Sequence, residues 1–266
     1  MVVVGMYSCF FIQRHYGQKV GLTGDQILSI WVYGGLLAVV GARGLHVLVN
    51  WSDYAEAPLT ALKFWDGGMA FIGAAVIAAG FSFFYLRRLG QGLVALDALA
   101  LGVAMTHGLG RIGCFLAGCC YGQATDLPVG VSFPVGSIAQ FTQAQLGLIQ
   151  STEPTAHLHP TQLYEAAFCF LIGFFLWSRY RRGAVPGTII AGYFALYPFA
   201  RFFVELVRDD PEREFLFRFP AEAPVILSTT QTSALVLVPF ALLVIWRLRS
   251  APSKGAAQAA ASSTAG

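Results

Sequence analysis

Charged residues are scarce in this sequence. Asp, Glu, Lys and Arg make up 12% of its 266 residues, whereas 56% are hydrophobic and the mean hydropathy is +0.62. An average soluble domain contains roughly 25% charged residues, so this chain has too few to cover a water-exposed surface. The composition excludes an ordinary soluble domain and predicts an all-α integral membrane protein.

Seven apolar stretches have lengths at or near the roughly 20 residues that cross a bilayer. They predict a seven-transmembrane-helix bundle that forms one domain over 1–250, with spans at 1–12, 27–49, 69–86, 93–119, 162–180, 188–207 and 229–246. The first stretch is short and lacks the features of a signal peptide, so we expect the outer half of this helix to precede Met1. The Ala/Ser-rich residues 251–266 are predicted to be a disordered cytoplasmic tail.

Basic residues are nearly missing from one side of the predicted bundle. Clusters of Lys and Arg follow spans one, three, five and seven, whereas acidic residues prevail in the opposite loops. The excess of basic residues on the cytoplasmic side places the N-terminus outside and the C-terminus in the cytoplasm. The net charge of +3 is therefore a topology signal, and no nucleic-acid partner is expected.

The outward loop over 122–161 contains no lysine or arginine. Loops longer than about 15 residues are usually either functional or disordered. Within this loop, residues 128–141 (PVGVSFPVGSIAQF) alternate in hydrophobicity like a short strand or hairpin. We expect an outward-facing lid or head region.

Three arginines lie in otherwise apolar stretches: Arg43, Arg111 and Arg201. A cation at membrane depth costs at least about 2.5–3.5 kcal/mol, so each arginine is expected to have an anionic partner or ligand. The spans offer as acids only Asp97, Glu165 and Glu205. Asp97 begins span four and is placed to cap that helix, so a phosphate at the outer leaflet is expected to bind the surplus arginine. The alternative for Arg201 is a purely structural ion pair with Glu205.

Helical spacing places other polar residues on the same helix faces as two of these arginines. His107 and Arg111 are four residues apart, which puts them on one helix face. The same spacing separates the members of a second set, Tyr197, Arg201 and Glu205. Both sets come late in even-numbered spans, and the start of span five adds His159, Tyr164 and Glu165. These residues are therefore predicted to share one layer near the outer surface.

Several sequence motifs occur in a distinctive order. They read WDGGMAF, HGLGRIGCFLAGCCYG, LPVGVSFP, HPTQLYEA and, from Tyr197 to Arg208, Y-x-x-x-R-F-x-x-E-x-x-R. In their order and spacing the chain resembles prolipoprotein diacylglyceryl transferases from its first span to its last. The resemblance implies a multi-pass enzyme of the bacterial inner membrane that works without a cofactor. It implies transfer of diacylglyceryl from phosphatidylglycerol to the lipobox cysteine in the signal peptide of a prolipoprotein, with release of glycerol phosphate.

The resemblance also implies roles for individual residues. The catalytic and phosphate-handling positions of the family fall on Arg111, Tyr197 and Arg201. Its supporting polar positions fall on Asp97, His159, Glu165, Glu205 and Arg208. As further substrate-binding residues we expect Arg43, Tyr164, Gly110 and Gly113.

Three positions depart from the family pattern. Ile72 stands where the family usually has a histidine that serves as a base or substrate contact, and Cys114 and Cys119 replace an asparagine and a glutamate. His107 is the substitute base that we expect, with a satisfied core histidine as the alternative. His159 is a weaker candidate, because it directly precedes a proline and is placed to cap span five.

The cysteines are Cys9, Cys114, Cys119, Cys120 and Cys169. Three of them lie at the outer end of span four, where an oxidising exterior permits a disulfide, although neighbouring Cys119 and Cys120 bridge each other only with strain. A second paired-cysteine element, typical of structural metal sites, is missing, so no metal is expected. Small apolar packing is the leading interpretation.

Two other functions fit parts of the pattern. A transporter of an anionic solute also buries arginines, but it is expected to have broken helices or repeats near mid-membrane, and the sequence shows no internal repeat. A divergent paralogue that transfers a phospholipid-derived group to another acceptor fits the departures at Ile72, Cys114 and Cys119 better.

Overall fold

The computed structural model describes residues 1–209 and 228–250. Within these ranges the regular structure is helical, and β-pairing is limited to isolated bridges. The helices are α1 (Val2–Lys19), α2 (Gly24–Val49), α3 (Trp51–Ala55), α4 (Phe71–Arg88), α5 (Gly92–Ala117), α6 (Ile138–Gln145), α7 (Thr161–Arg181), α8 (Thr188–Leu206) and α9 (Thr229–Ser250). Two short 3-10 helices, Pro58–Leu62 and Phe64–Asp66, connect α3 to α4. The prediction of an all-α protein is confirmed for the described residues.

Five of these helices, α2, α5, α7, α8 and α9, are long and apolar enough to cross a membrane. The other two predicted spans fall in α1 and α4, each of 18 residues. Helix α1 continues past the predicted boundary at residue 12 as far as Lys19, and α5 ends at Ala117 rather than at residue 119. The predicted tail over 251–266 lies outside the described residues.

Two compact units make up the fold, and their boundaries fall inside α1 and α5. In the unit of residues 11–99, α2 packs along α4. Gly41 and Gly73 permit this approach, because a Cβ atom on either residue would collide with the carbonyl oxygen of the other. The buried Gln13 amide of the same unit donates to the Leu99 carbonyl (2.8 Å) and accepts a hydrogen bond from Trp31.

The other unit contains residues 1–10 and those from 100 onward. Helix α8 packs against both α7 and α9 in this unit. Gly108 of α5 lies against the ring of Phe170 of α7, and a Cβ atom there would come within 2.6 Å of the ring. Because small residues permit close helix packing, the polar faces of α5, α7 and α8 meet in this unit.

The segment over 122–161 is folded, but not as a hairpin. Val131 forms a β-bridge with Leu158, whereas Ser137 accepts a hydrogen bond from the Gln140 N–H and caps α6. The predicted strand or hairpin over 128–141 is therefore wrong after Ser137, where the serine cap outweighs the alternating pattern. A small core holds the segment together and consists of Tyr121, Phe133, Ala139 and Leu158, with Phe115 packed against it.

Candidate active site

Glu165 lies at the centre of a cluster of polar side chains. It is in the second turn of α7 and is only 4% exposed. Its Oε1 accepts a hydrogen bond from the Tyr197 hydroxyl at 2.6 Å and lies 3.0 Å from Nε of Arg111. Its Oε2 lies 3.6 Å from Nε of Arg201. One carboxylate from α7 therefore joins an arginine of α5 to a tyrosine and an arginine of α8.

Arg201 has a second acidic partner in its own helix. Its Nη1 lies 2.8 Å from Oε2 of Glu205, one turn further along α8, and both side chains are buried. Attraction between opposite charges holds this pair. We name the six residues His107, Arg111, Glu165, Tyr197, Arg201 and Glu205 the Glu165 cluster. It brings together the two sets of residues, each spaced four apart, that the sequence predicted.

Charge is balanced in the Glu165 cluster, with two guanidinium groups and two carboxylates. The surplus of arginine over acid expected from the sequence is therefore not found here, because Arg111 and Arg201 share Glu165 and Glu205. Arg111 meets Glu165 through Nε, and its side chain is 19% exposed. A guanidinium has five N–H donors, four of them on the two Nη atoms, so the planar shape of Arg111 suits a phosphate despite the balanced charge.

His107 is built into the same cluster through both ring nitrogens. Nδ1 lies 2.7 Å from the Tyr193 hydroxyl, and Nε2 lies 3.7 Å from Oε1 of Glu165. The imidazole packs against the Tyr197 ring at 4.4 Å between centroids, and the two tyrosine rings are stacked at 5.7 Å. Tyr193 was missed from the sequence, although its position one turn before Tyr197 was an available signal.

The other predicted supporting residues occupy different positions. His159 Nδ1 lies 3.1 Å from the Tyr164 hydroxyl, and its backbone pairs with Gly122 and Gln123. It does not cap α7, whose N-cap residue is Pro160 and has no side-chain hydrogen bond. The proposed cap role of His159 is wrong, because backbone pairing holds this residue outside the helix start.

Asp97 and Arg208 also lie away from helix caps. Asp97 is buried in the second turn of α5 rather than at its first residues, so it does not cap that helix as the sequence suggested. Arg208 follows α8 and pairs with Gly122 in a β-bridge. Gly110 has open space where a Cβ atom would lie, whereas a Cβ on Gly113 would approach Met1 at 3.2 Å.

Arg43 belongs to the unit of residues 11–99 and is held by backbone oxygens. Nε donates to the Ala61 carbonyl, Nη2 to that of Thr60, and Nη1 to those of Gly67 and Gly68, over distances of 2.6–3.1 Å. The guanidinium also lies 5.3 Å from the centre of the Tyr54 ring. We name Arg43 and these four carbonyl groups the Arg43 cradle. Backbone carbonyls are thus the protein partners of Arg43, next to an open cleft of about 410 Å³, and an anionic ligand there stays a prediction.

The thiols of Cys114, Cys119 and Cys120 form a second cluster, which we name the thiol cluster. All three sulfur atoms lie within 4.8 Å of one another, and all three residues are partly exposed. The leading interpretation of apolar packing does not describe this arrangement. The sequence analysis placed the three cysteines together at the outer end of span four, but it did not predict that their sulfur atoms converge, because that depends on the chain reversal after α5. Cys9 and Cys169 are buried elsewhere, and all five thiols are free.

Comparison with known proteins identifies the family of this chain. A family model described as prolipoprotein diacylglyceryl transferase matches residues 1–247. A phosphatidylglycerol–prolipoprotein diacylglyceryl transferase of Clostridium tetani is 31% identical over 79% of this chain and 80% of its own length. Enzymes of the same name from Geobacter sulfurreducens and Desulfotalea psychrophila are 31% and 30% identical over 86% and 93% of the chain, and 83% and 87% of their own lengths. The resemblance stated from the sequence motifs is thus confirmed, and the chain belongs to the prolipoprotein diacylglyceryl transferase family.

Proposed function

We propose that this transferase moves the diacylglyceryl group of phosphatidylglycerol to the lipobox cysteine thiol of a prolipoprotein, the first step of lipoprotein maturation. The observation that carries the proposal is the Glu165 cluster, in which Arg111 is anchored at Nε by a buried carboxylate and remains partly exposed. Relatives named for this reaction cover most of the chain. Membrane lipid and an exported signal peptide are the partners that this reaction requires.

The arginines are proposed to stabilise the negative charge of the leaving group. The thiolate sulfur attacks the glyceryl carbon, a C–S bond forms, and the C–O bond to phosphate breaks with its electron pair going to the phosphate oxygen. Negative charge grows on the departing glycerol phosphate, and preorganised donors aimed at that charge lower the barrier. The Nη groups of Arg111 supply such donors, while Arg201 supports them through the carboxylate that both arginines share.

His107 is the proposed acceptor of the thiol proton. Only the thiolate is an effective nucleophile, and a free cysteine with a pKa of about 8.5 is mostly protonated at neutral pH. Protonated His107 gains an ion-pair partner in Glu165, whose Oε1 is 3.7 Å from Nε2. The carboxylate thereby stabilises the imidazolium that forms when the proton arrives.

Purified protein in detergent tests the reaction directly. With phosphatidylglycerol and a synthetic lipobox peptide, we expect the peptide to gain the mass of one diacylglyceryl group and glycerol phosphate to appear in equal amount. A peptide with serine in place of the lipobox cysteine is the matched control and stays unmodified. Consumption of phosphatidylglycerol with an unmodified peptide would instead indicate the divergent paralogue. No chemistry, combined with anion flux in vesicles, would indicate the transporter.

We further propose seven membrane crossings in the inner membrane, with the N-terminus outside and the C-terminus in the cytoplasm. The basic clusters after alternate spans support this arrangement, and α1 and α4 supply the two crossings beyond the five most apolar helices. A reporter fused after Ser137 is expected outside the cytoplasm, and one fused after Arg182 inside it. A cytoplasmic reporter at Ser137 contradicts this topology.

A further inference from the structure

The end of α5 is built so that it folds two cysteines back onto a third. Gly118 has a φ of +74°, its N–H donates to the Phe115 carbonyl at 3.1 Å, and the Cys119 N–H donates to the Cys114 carbonyl at 3.1 Å. These two bonds form a Schellman motif, the common way in which a helix ends at a left-handed glycine. The turn places Cys119 directly beside Cys114.

Cys120 occupies an unfavourable backbone conformation. Its φ of +58° is in the left-handed region, and it is the sole non-glycine residue with a positive φ among residues 1–209 and 228–250. A side chain there costs on the order of 1 kcal/mol relative to glycine, so a thiol that remains at such a position points to a use for the sulfur. The turn is nevertheless held firmly, because Thr161 and Gln162 of α7 donate side-chain hydrogen bonds to the Cys120 and Cys119 carbonyls.

The spacing of the sulfur atoms fits a metal ion. Zinc–sulfur bonds of about 2.3 Å place three thiolate sulfurs around one ion roughly 4 Å apart. In the structure the Cys119 and Cys120 sulfurs are 3.8 Å apart, and all three lie within 4.8 Å. Binding replaces three S–H protons by one Zn²⁺ and leaves a net charge of −1, close to the Arg111 guanidinium on the same helix.

We propose that Cys114, Cys119 and Cys120 bind one Zn²⁺ ion and leave its fourth coordination position open. Zinc sites that take part in reactions typically have three protein ligands and one exchangeable position, whereas structural sites are closed by four. All three cysteines are partly exposed, so an external ligand has access to the ion.

The fourth ligand is the acceptor thiol, an extension that rests on the proposed function. A thiol that coordinates zinc loses its proton and becomes the thiolate that the alkylation requires. The proton passes to His107, the acceptor named in the proposed function; the sulfur then forms its bond to the glyceryl carbon, and the phosphate oxygen leaves with the C–O electron pair. The thioether product is a weaker ligand and leaves the ion.

Zn²⁺ content is the first test. Full-length protein in detergent is expected to retain about one Zn²⁺ per chain after dialysis. A triple variant with Cys114→Ser, Cys119→Ser and Cys120→Ser is expected to retain none, and Cys9→Ala, at a buried thiol outside the cluster, to bind as the wild type does. Cys120→Gly is the control for misfolding, because glycine adopts the positive φ readily. We expect this variant to have unchanged or higher thermal stability and at least about tenfold weaker Zn²⁺ binding. Folded wild-type protein without Zn²⁺, or with its cysteines paired as a disulfide, overturns the proposal.

Co²⁺ in place of Zn²⁺ reports on the fourth position. The thiolate-to-cobalt absorption is expected to shift when a lipobox peptide is added and to stay constant with the serine peptide. Diacylglyceryl transfer is expected to disappear with a chelator and to return with Zn²⁺. Full transfer by metal-free protein overturns the thiol-capture step and leaves the proposed function intact. Lack of transfer in every metal state counts against the proposed function, while Zn²⁺ content alone still decides the metal site.

Discussion

The Arg43 cradle and the Glu165 cluster each provide polar partners for a guanidinium within an apolar stretch, but the partners differ. Arg43 donates to four backbone carbonyls, which carry only partial charge. Arg111 and Arg201 face carboxylates, which neutralise them. The carbonyls of the cradle fix a turn of the chain, whereas Glu165 holds Arg111 at Nε while the arginine side chain stays 19% exposed. An arginine in an apolar stretch therefore does not by itself indicate a phosphate site. The protein groups that contact its guanidinium determine whether it can bind one.

The largest expected effect comes from His107→Gln in the Glu165 cluster. Glutamine keeps a polar side chain but does not accept a proton, and general-base assistance is worth about 10²–10⁴-fold in rate. We expect transfer to fall by this factor at neutral pH and to recover partly at higher pH, where the acceptor thiol ionises unaided. His46→Gln beside the cradle is the matched control. An initial rate for His107→Gln within a few-fold of wild type would mean that the base lies elsewhere.

Arg111→Lys and Arg43→Lys together test the difference between the Glu165 cluster and the Arg43 cradle most directly. Lysine keeps the charge but loses the two-pronged fork, so we expect Arg111→Lys to lower transfer by about 10²–10³-fold with normal membrane insertion. Arg43→Lys leaves carbonyls of the cradle without donors, which costs about 1–3 kcal/mol of stability and changes turnover little. Transfer rates and melting temperatures of both variants separate the two roles. Equal losses of transfer would show that Arg43 also handles substrate.

Tyr197→Phe is expected to have an intermediate effect. It removes the hydroxyl that donates to Glu165 at 2.6 Å but keeps the ring that packs on His107. A hydrogen bond to a charged group contributes about 1.5–3 kcal/mol, which corresponds to a loss of roughly 10–100-fold in transfer. Tyr54→Phe is the counterpart in the cradle, where Arg43 contacts the ring face, and is expected to be nearly silent. A fully active Tyr197→Phe enzyme would remove the hydroxyl from the proposed mechanism.

Gly68→Ala is expected to affect stability alone. Gly68 has a φ of +70°, and a Cβ atom would come within 2.6 Å of the His46 ring and 2.8 Å of Arg43 Nη1. The strained backbone alone costs about 1–2 kcal/mol, and the cradle must also shift. A lower melting temperature with transfer per folded molecule close to wild type supports a structural cradle. Gly67→Ala, which has a similar φ but open space around it, separates strain from collision.

The Glu165 cluster shows how far sequence reasoning reaches. The spacing of His107 and Arg111, and of Tyr197, Arg201 and Glu205, predicted shared helix faces because α-helical geometry repeats every 3.6 residues. The sequence also suggested the Arg201–Glu205 pair as an alternative to a bound phosphate, and the structure contains this pair. It did not predict that Glu165 joins both arginines, since that contact depends on how α5, α7 and α8 pack.

The sequence by itself determined the helical membrane character, the family and the composition of the two helix faces, because hydropathy and one-turn spacing are local properties. Only the tertiary structure decided that Glu165 and Glu205 balance the charges of Arg111 and Arg201, that backbone carbonyls hold Arg43, and that the thiols of Cys114, Cys119 and Cys120 meet. These contacts depend on a left-handed turn at Gly118 and on hydrogen bonds from α7, which lies more than forty residues further along the chain. Chain reversals and helix packing determine such distances, and neither produces a repeating residue pattern from which the contact could be predicted.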